Sequence, residues 1–305
     1  MIWKTKITEI TGTEYPIIMG AFALLGKAEF AAAFSNAGGF GIITALNFRT
    51  NEIFKAELKK MDKLTDNPWG VNFSVMPPYI IEKRGKGRDE ESYLDFVDIA
   101  LEAGVRVCTT SAYQAPEIGK RLHDAGCYWF HKCATMRHAI SAEKLGADAV
   151  TIVGIEGTGF KNPFQNTTLV NMTMARKLLK IPVIAAGGIG DARGFLGALA
   201  MGADAVCFGS AIIATKESPA SEFWKKKVLT QDIFDEKFYK KIFHLELRDS
   251  PVASMAAGHC DEILNIKEFI QEKIIKNAEK ILKDWGFNDN LFTTRVREST
   301  VPLGR

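Results

Sequence analysis

Residues 182–211, PVIAAGGIGDARGFLGALAMGADAVCFGSA, decide how the chain folds. The apolar run 182–186 ends in Gly187-Gly188, an amphipathic segment follows, and a second apolar run, 205–208, ends in Gly209-Ser210. These are two successive strand–loop units with glycine at each strand exit. Without a Cβ in the way, backbone N–H groups at such corners stand open to a ligand. Joined to the positive end of a following helix, they make an anion site. In an eight-stranded βα barrel the loops after strands seven and eight build the phosphate site. If these runs are those two strands, the protein holds a phosphorylated cofactor or substrate. The plain alternative is that Gly-Gly only shortens two turns.

Outward from this stretch the same unit recurs. Apolar, β-branched runs fall at 16–19, 40–44, 69–75, 105–109, 128–132, 149–153, 182–186 and 205–208, eight in all. They are continuous rather than alternating, as parallel strands covered on both faces should be. Amphipathic stretches lie between them at 27–36, 50–63, 91–103, 114–125, 136–145, 169–179 and 192–201, most closed by a glycine-containing breaker. Two breakers, LGADAV and MGADAV, are almost one phrase and predict the same αβ loop used twice. No G-x-G-x-x-G follows the first run, so a Rossmann unit is disfavoured. The expected fold is α/β, a (β/α)8 TIM barrel over residues 1–215, with a C-terminal helical elaboration over 216–305. In that elaboration, 216–246 reads as two helices, 249–260 as a small-residue loop, 263–285 as one long amphipathic helix, and the tail after 288 as extended. The 216–290 part is expected to pack on the barrel and cover its mouth. Residues 77–92 read as a flexible loop.

Composition narrows the class. The chain has 305 residues, 47% hydrophobic and 25% charged, with a formal net charge of +3, too small and dispersed to argue for nucleic acid. Lys225-Lys226-Lys227 and the basic stretch 83–88 read as solvated faces. No run approaches the roughly 18 apolar residues that cross a membrane, and the N-terminus lacks the pattern of a signal peptide. Five cysteines without a C-x-x-C pair argue for a reducing compartment and against a structural zinc or other metal site. The expectation is a cytoplasmic protein acting on a small molecule, with a homodimer as its assembly.

Chemistry in such a barrel belongs at the C-terminal strand ends: Gly20-Ala21-Phe22, Thr44, Asn72, Thr110-Ser111, Lys132, Glu156-Gly157-Thr158-Gly159, Gly187-Gly188 and Gly209-Ser210. Few are large or charged, which suits a broad flat ligand over the mouth. Lys132 stands out, because an ammonium at a barrel strand end needs a partner. It is a phosphate or carboxylate ligand, a Schiff-base amine, the cation facing an anionic flavin ring, or the ion-pair partner of Glu156. His131, next to it, should face the other side of its strand as a buried structural residue. His123 and His138 read as surface positions, His244 has no evident role, and His259 lies in the C-terminal loop. Cys133 is either a nucleophile or an inert core thiol.

In order along the chain, YPIIMGAF (15–22), SNAGGFGII (35–43), GVNF (70–73), GADAVTIVGIEGTG (146–159) and the glycine stretch 185–211 resemble the nitronate monooxygenases, once called 2-nitropropane dioxygenases. They are also similar to the related flavin-dependent enoyl-acyl-carrier-protein reductases. The likeness spans residues 6–215 and is specific as an ordered set. It implies an FMN-binding barrel with extra helices on its C-terminal side. Gly187, Gly188, Gly209 and Ser210 would bind the FMN phosphate. Gly20, Ala21 and Phe22 would lie beside the isoalloxazine ring. Asn72 and Lys132 would meet the pyrimidine edge, where reduced flavin gathers charge. Glu156, with Gly157 and Thr158, would sit near the ribityl chain, and His259 is in the segment that closes over the flavin.

The sequence departs from the family at one place. Family members commonly read E-A-G-G-H-x-G after the sixth strand, with the histidine as catalytic base or substrate contact; here Phe160 holds that position. Phenylalanine takes no proton, though it can stack on flavin or wall the pocket. Two activities therefore stand side by side: oxidation of a nitronate-like substrate by dioxygen, and NAD(P)H-dependent reduction of an enoyl thioester, enone or quinone. A non-redox phosphate-binding barrel would need acid–base carboxylates on several strand ends, and almost none are present. A catalytically silent flavin-binding protein is the remaining alternative.

Overall fold

The computed structural model describes residues 1–159, 161–243 and 253–294. Strand β1 (Ile2–Lys4) and helix α1 (Lys6–Thr11) come first. The eight apolar runs then become β2 (Ile17–Met19), β3 (Gly41–Thr44), β4 (Trp69–Val75), β5 (Val107–Ala112), β6 (Tyr128–Cys133), β7 (Ala149–Val153), β8 (Val183–Ala186) and β9 (Ala205–Phe208). They pair in parallel in the order β2-β9-β8-β7-β6-β5-β4-β3. The circle shuts where Ile18 bridges Phe40, with Phe40 N–H on the Ile17 carbonyl at 2.8 Å and Met19 N–H on that of Phe40 at 3.0 Å. This is the expected TIM barrel.

The crossovers are α2 (Ala28–Asn36), α3 (Asn51–Leu64), α4 (Pro78–Arg84), α5 (Leu94–Glu102), α6 (Pro116–Asp124), α7 (Met136–Lys144), α8 (Thr168–Leu178) and α9 (Ala192–Ala200). Their apolar faces bury Phe30, Phe34, Phe54, Phe96 and Phe195 against the strands. Phe54 and Phe96 stack at 4.6 Å between ring centroids, an arrangement that adds to simple area burial. At Gly41 an added Cβ would stand 2.1 Å from the Ala31 carbonyl oxygen, so α2 rests directly on β3. After β9 come α10 (Glu222–Leu229), α11 (Glu236–Phe243), a 3-10 turn (Met255–His259), a π-helical run (Glu268–Lys276) continuing into α12 (Asn277–Asp284), and β10 (Leu291–Thr293). Strand β10 pairs in parallel with β1, Ile2 opposite Leu291. Among the described residues no helix is long and apolar enough to cross a membrane.

The twin GADAV phrases do the same job twice. Asp148 accepts the N–H of Trp129, the second residue of β6, at 2.7 Å; Asp204 accepts that of Val183, the first residue of β8, at 3.0 Å. Each carboxylate thereby satisfies an N–H at the start of the neighbouring strand.

Several local expectations are corrected. Pro16 and Pro182 lie outside their strands, for neither has an N–H to give, although their carbonyls accept from Val206 and Val150. The fourth run pairs from Val107 to Ala112, beyond the expected 105–109. The 77–92 stretch holds α4, started by Pro78 and stopped by Gly85. The 263–285 helix is π-helical over nine residues. Lys225 is buried, its Nζ donating to the Lys216 carbonyl at 3.4 Å. Arg88 lies over the Phe96 ring at 4.3 Å instead of in solvent.

Candidate active site

The exit of β8 is built for backbone donors. Gly187 and Gly188 have φ of +103° and +75°, a region that side chains rarely adopt. A Cβ on Gly187 would stand 3.0 Å from the N and O of Gly154, and one on Gly188 would stand 3.0 Å from the Glu156 Cβ. The loop after β7 therefore lies directly on the corner. At the exit of β9, Gly209 faces open space: nothing lies within 4 Å of an added Cβ. Among the described residues, the N–H groups of Gly188, Gly209 and Ser210 meet no acceptor. Open backbone donors at two adjacent strand exits suit an oxyanion. The following helix contributes less than expected, because Asp191 caps α9 by accepting from Gly194 N–H at 2.8 Å.

A C-terminal segment ties these corners together. Ser254 N–H donates to Ser210 Oγ at 2.8 Å, Met255 N–H to the Glu156 carbonyl at 3.0 Å, and Cys260 Sγ to the Ala211 carbonyl at 3.7 Å. His259 packs against Gly190, with Nδ1 3.8 Å from Asp191 Oδ2. It lines a cleft of about 480 Å³ between the first turn of α9 and α12, together with Arg193, Lys273 and Lys280.

On the other side of the mouth, Gly20 N–H holds the Phe208 carbonyl at 2.8 Å, and Phe22 N–H donates to Thr44 Oγ1 at 3.0 Å. Ala21 and Phe22 are thus fixed, half-buried, at the exit of β2. Asn72 is buried in a polar net: Nδ2 donates to Thr109 Oγ1 at 2.8 Å and to its carbonyl at 3.3 Å, while Oδ1 accepts from Ser74 at 3.0 Å and Ser111 at 3.3 Å. Its amide is committed to neighbours, so a ligand contact there requires exchanging one of these bonds.

Lys132 stands opposite Ser111 on β5 and Thr151 on β7, which puts the three on one face of the sheet. Its Nζ is 3.7 Å from where a Cβ on Gly159 would lie. Among the described residues it has no carboxylate partner. The expected alternative of a Lys132–Glu156 pair is not formed, because Glu156 Oε1 and Oε2 accept Thr168 N–H at 3.1 and 3.0 Å and Oε2 also takes the Thr168 hydroxyl at 3.1 Å. Gly157 N–H closes the turn onto the Gly154 carbonyl at 2.9 Å, and Thr158 is half-buried beside it. Burial pushes the Cys133 thiol up to about 12 despite the nearby Lys132 charge, which makes it an inert core thiol.

His131 faces the outer layer, as alternation with Lys132 requires. The Thr110 hydroxyl accepts from the Trp129 indole at 2.7 Å and lies 2.8 Å from His131 Nδ1. The hydroxyl therefore donates to Nδ1, which accepts with its lone pair as a neutral ring does. Burial holds this imidazole down at about 4. His123 pairs with Asp148 at 2.9 Å, and His138 is half-buried rather than on the surface. Phe160 and His244 lie outside the described residues. Sequence reasoning missed Thr168, which anchors Glu156, and Lys161, half-buried with Nζ on the Ile155 carbonyl.

Residues 4–248 match the family model described as nitronate monooxygenase. The chain belongs to the nitronate monooxygenase family. Over 332 aligned residues it is 29% identical to a probable nitronate monooxygenase of Staphylococcus aureus, covering 99% of this chain and 88% of that one. It is 30% identical to a Mycobacterium tuberculosis protein named (3aS,4S,5R,7aS)-5-hydroxy-7a-methyl-1-oxo-octahydro-1H-indene-4-carboxyl-CoA dehydrogenase, over 74% of this chain. The chain spans only 60% of that relative's length. Among solved structures, a FabK variant from Thermotoga maritima superimposes with a TM-score of 0.78 at 29% identity, covering 93% of this chain and 99% of that one.

Proposed function

We propose that this family member is an FMN-dependent oxidoreductase whose corners Gly187-Gly188 and Gly209-Ser210 grip the FMN phosphate. The observation that supports it most is the set of N–H groups on Gly188, Gly209 and Ser210 that meet no acceptor among the described residues. They suit a phosphate: they are backbone donors at two adjacent strand exits, with room at Gly209 that a side chain would fill. FMN held there would supply two-electron exchange between substrate and acceptor. The chain's own residues do the rest. Gly20, Ala21 and Phe22 wall the ring, Gly157 and Thr158 border the ribityl chain, and Glu156 orients that loop through Thr168. Lys132, with no carboxylate partner among the described residues, would offset negative charge gathering at the mouth. His259, on the far side of the Gly190 corner, supports that corner.

The first reading of the substrate is a nitronate-like anion oxidised with dioxygen. A second is favoured by Phe160 at the position of the family's histidine: reduction of an enoyl thioester, enone or quinone by NAD(P)H. Colour and anaerobic titration test both. A yellow protein that releases FMN on denaturation, bleached by ethylnitronate and not by NAD(P)H, supports the first reading; bleaching by NADH or NADPH supports the second. A preparation that stays colourless after reconstitution with FMN overturns the proposal.

A further inference from the structure

Among the described residues only two other than glycine hold a left-handed φ, Leu24 at +72° and Ala112 at +76°. Both lie at strand exits on the mouth of the barrel, Leu24 after β2 and Ala112 at the end of β5. A leucine in this region is strained. Packing does not offset that strain, because Leu24 is 74% exposed. One residue thus carries two unfavourable terms, backbone strain and an apolar side chain in water, where glycine or asparagine would carry neither.

The conformation is imposed by the neighbouring strand exit. Asn47, in the turn after β3, accepts the Leu24 N–H on Oδ1 at 2.6 Å. Its Nδ2 donates to the carbonyls of Phe22 and Gly26, each at 3.1 Å. Gly26 N–H closes the turn on the Phe22 carbonyl at 3.1 Å, and an added Cβ on Gly26 would stand 2.5 Å from Thr44 Oγ1. The turn is therefore strapped at both ends to the exit of β3 and holds Leu24 at its tip, two residues past Phe22.

Leu24 is part of an apolar arc. Strands β2, β3, β4 and β5 are consecutive around the barrel, and exposed Tyr79 and Tyr113 follow β4 and β5. Tyr113, next to the strained Ala112, donates its N–H to the Val75 carbonyl at 3.3 Å. Burial, and then the facing Tyr79 hydroxyl, raise its phenol above the ordinary value. Deeper in the same half of the mouth the strands are polar, with Ser74, Ser111 and Lys132 in register on one face. The glycine corners of β8 and β9 occupy the other half.

We propose that Leu24, held by Asn47, determines substrate specificity by meeting an apolar tail, so that the natural substrate carries a hydrocarbon chain of several carbons beyond its reacting group. The inference rests on the oxidoreductase reading above and names a substrate class for it. The reacting head, where negative charge gathers, lies toward Lys132. The tail leaves across the Leu24, Tyr79 and Tyr113 edge and takes that edge out of water.

Two probe pairs, each differing by four methylenes, test it on the flavin-loaded protein. They are ethylnitronate against 1-hexylnitronate, followed by oxygen consumption, and 3-penten-2-one against 3-nonen-2-one, followed by NADPH consumption. The wild type should favour the longer member at least about 10-fold in kcat/KM, a modest share of what four buried methylenes can supply. Leu24→Asn accepts the left-handed φ but replaces hydrocarbon with an amide. It should lower that preference at least about 5-fold, chiefly through KM for the longer member, with a urea midpoint no lower than wild type. Leu24→Met, apolar and equally strained, should keep the preference. A wild type indifferent to chain length, a Leu24→Asn variant with the wild-type ratio, or a Leu24→Met variant that loses it overturns the role of Leu24 alone. A protein that binds no FMN and turns over none of the four probes overturns the oxidoreductase reading, and the role with it.

Discussion

The two glycine corners and the loop after β7 share one barrel mouth but are built by opposite means. At the corners the backbone does everything: Gly187 and Gly188 hold left-handed φ values and Gly209 leaves space, so the donors are fixed by main-chain geometry. In the loop, side chains hold the backbone. Glu156 is tied to Thr168, Lys161 to Ile155, and Gln165 Nε2 to the Val153 carbonyl at 2.8 Å. A main-chain site tolerates nothing at its few positions, whereas a side-chain scaffold can change chemistry by exchanging one residue. Phe160 falls by sequence in the second kind of region, where one residue can change without touching the glycine corner.

The comparison breaks first at Gly188. Gly188→Asp puts a carboxylate among the N–H donors and should weaken FMN binding at least about 100-fold, or about 3 kcal/mol. Flavin fluorescence titration of the apoprotein measures it, and unchanged affinity would mean the corner is not the anion site. Acid sharpens the contrast. His131 is held at about 4 when folded, against its ordinary 6.5, so the unfolded chain binds more protons between those values. Its contribution is therefore complete above pH 6.5 and is lost as pH falls toward 4. Urea unfolding at pH 7 and 4.5 should show the wild type losing about 2 kcal/mol more than His131→Gln over that interval. Glu156→Gln should cost about 1 kcal/mol by weakening a charge-assisted bond at the start of α8; no change in chemical denaturation would show that the loop does not depend on it. Ser210→Ala, which removes the acceptor for Ser254 N–H, should have the smallest effect, about 1 kcal/mol or less by the same assay.

What could be read beforehand follows the same division. The eight barrel strands were legible because parallel strands buried on both faces leave continuous apolar runs. The turn at Gly187-Gly188 was legible because its positive φ values favour glycine. His131 and Lys132 could be assigned opposite faces from strand alternation alone. Lys161 could not be singled out, for its burial comes from a folded-back loop with no apolar period. Asn72 was expected at a strand end but lies in the middle of β4, and its commitment to Thr109, Ser74 and Ser111 depends on register across two strands. Strand β1 escaped notice and β10 was read only as an extended tail, because neither is buried on both faces and so neither leaves a continuous apolar run.

The bond from Ser254 to Ser210 crosses 44 residues of chain. A nascent polypeptide that has already rolled its cylinder shut at β9 still lacks the brace for its last turn. Synthesis must run well past the final stave before the mouth acquires its working shape, so a fragment ending there should fold as a shell and discriminate poorly among anions.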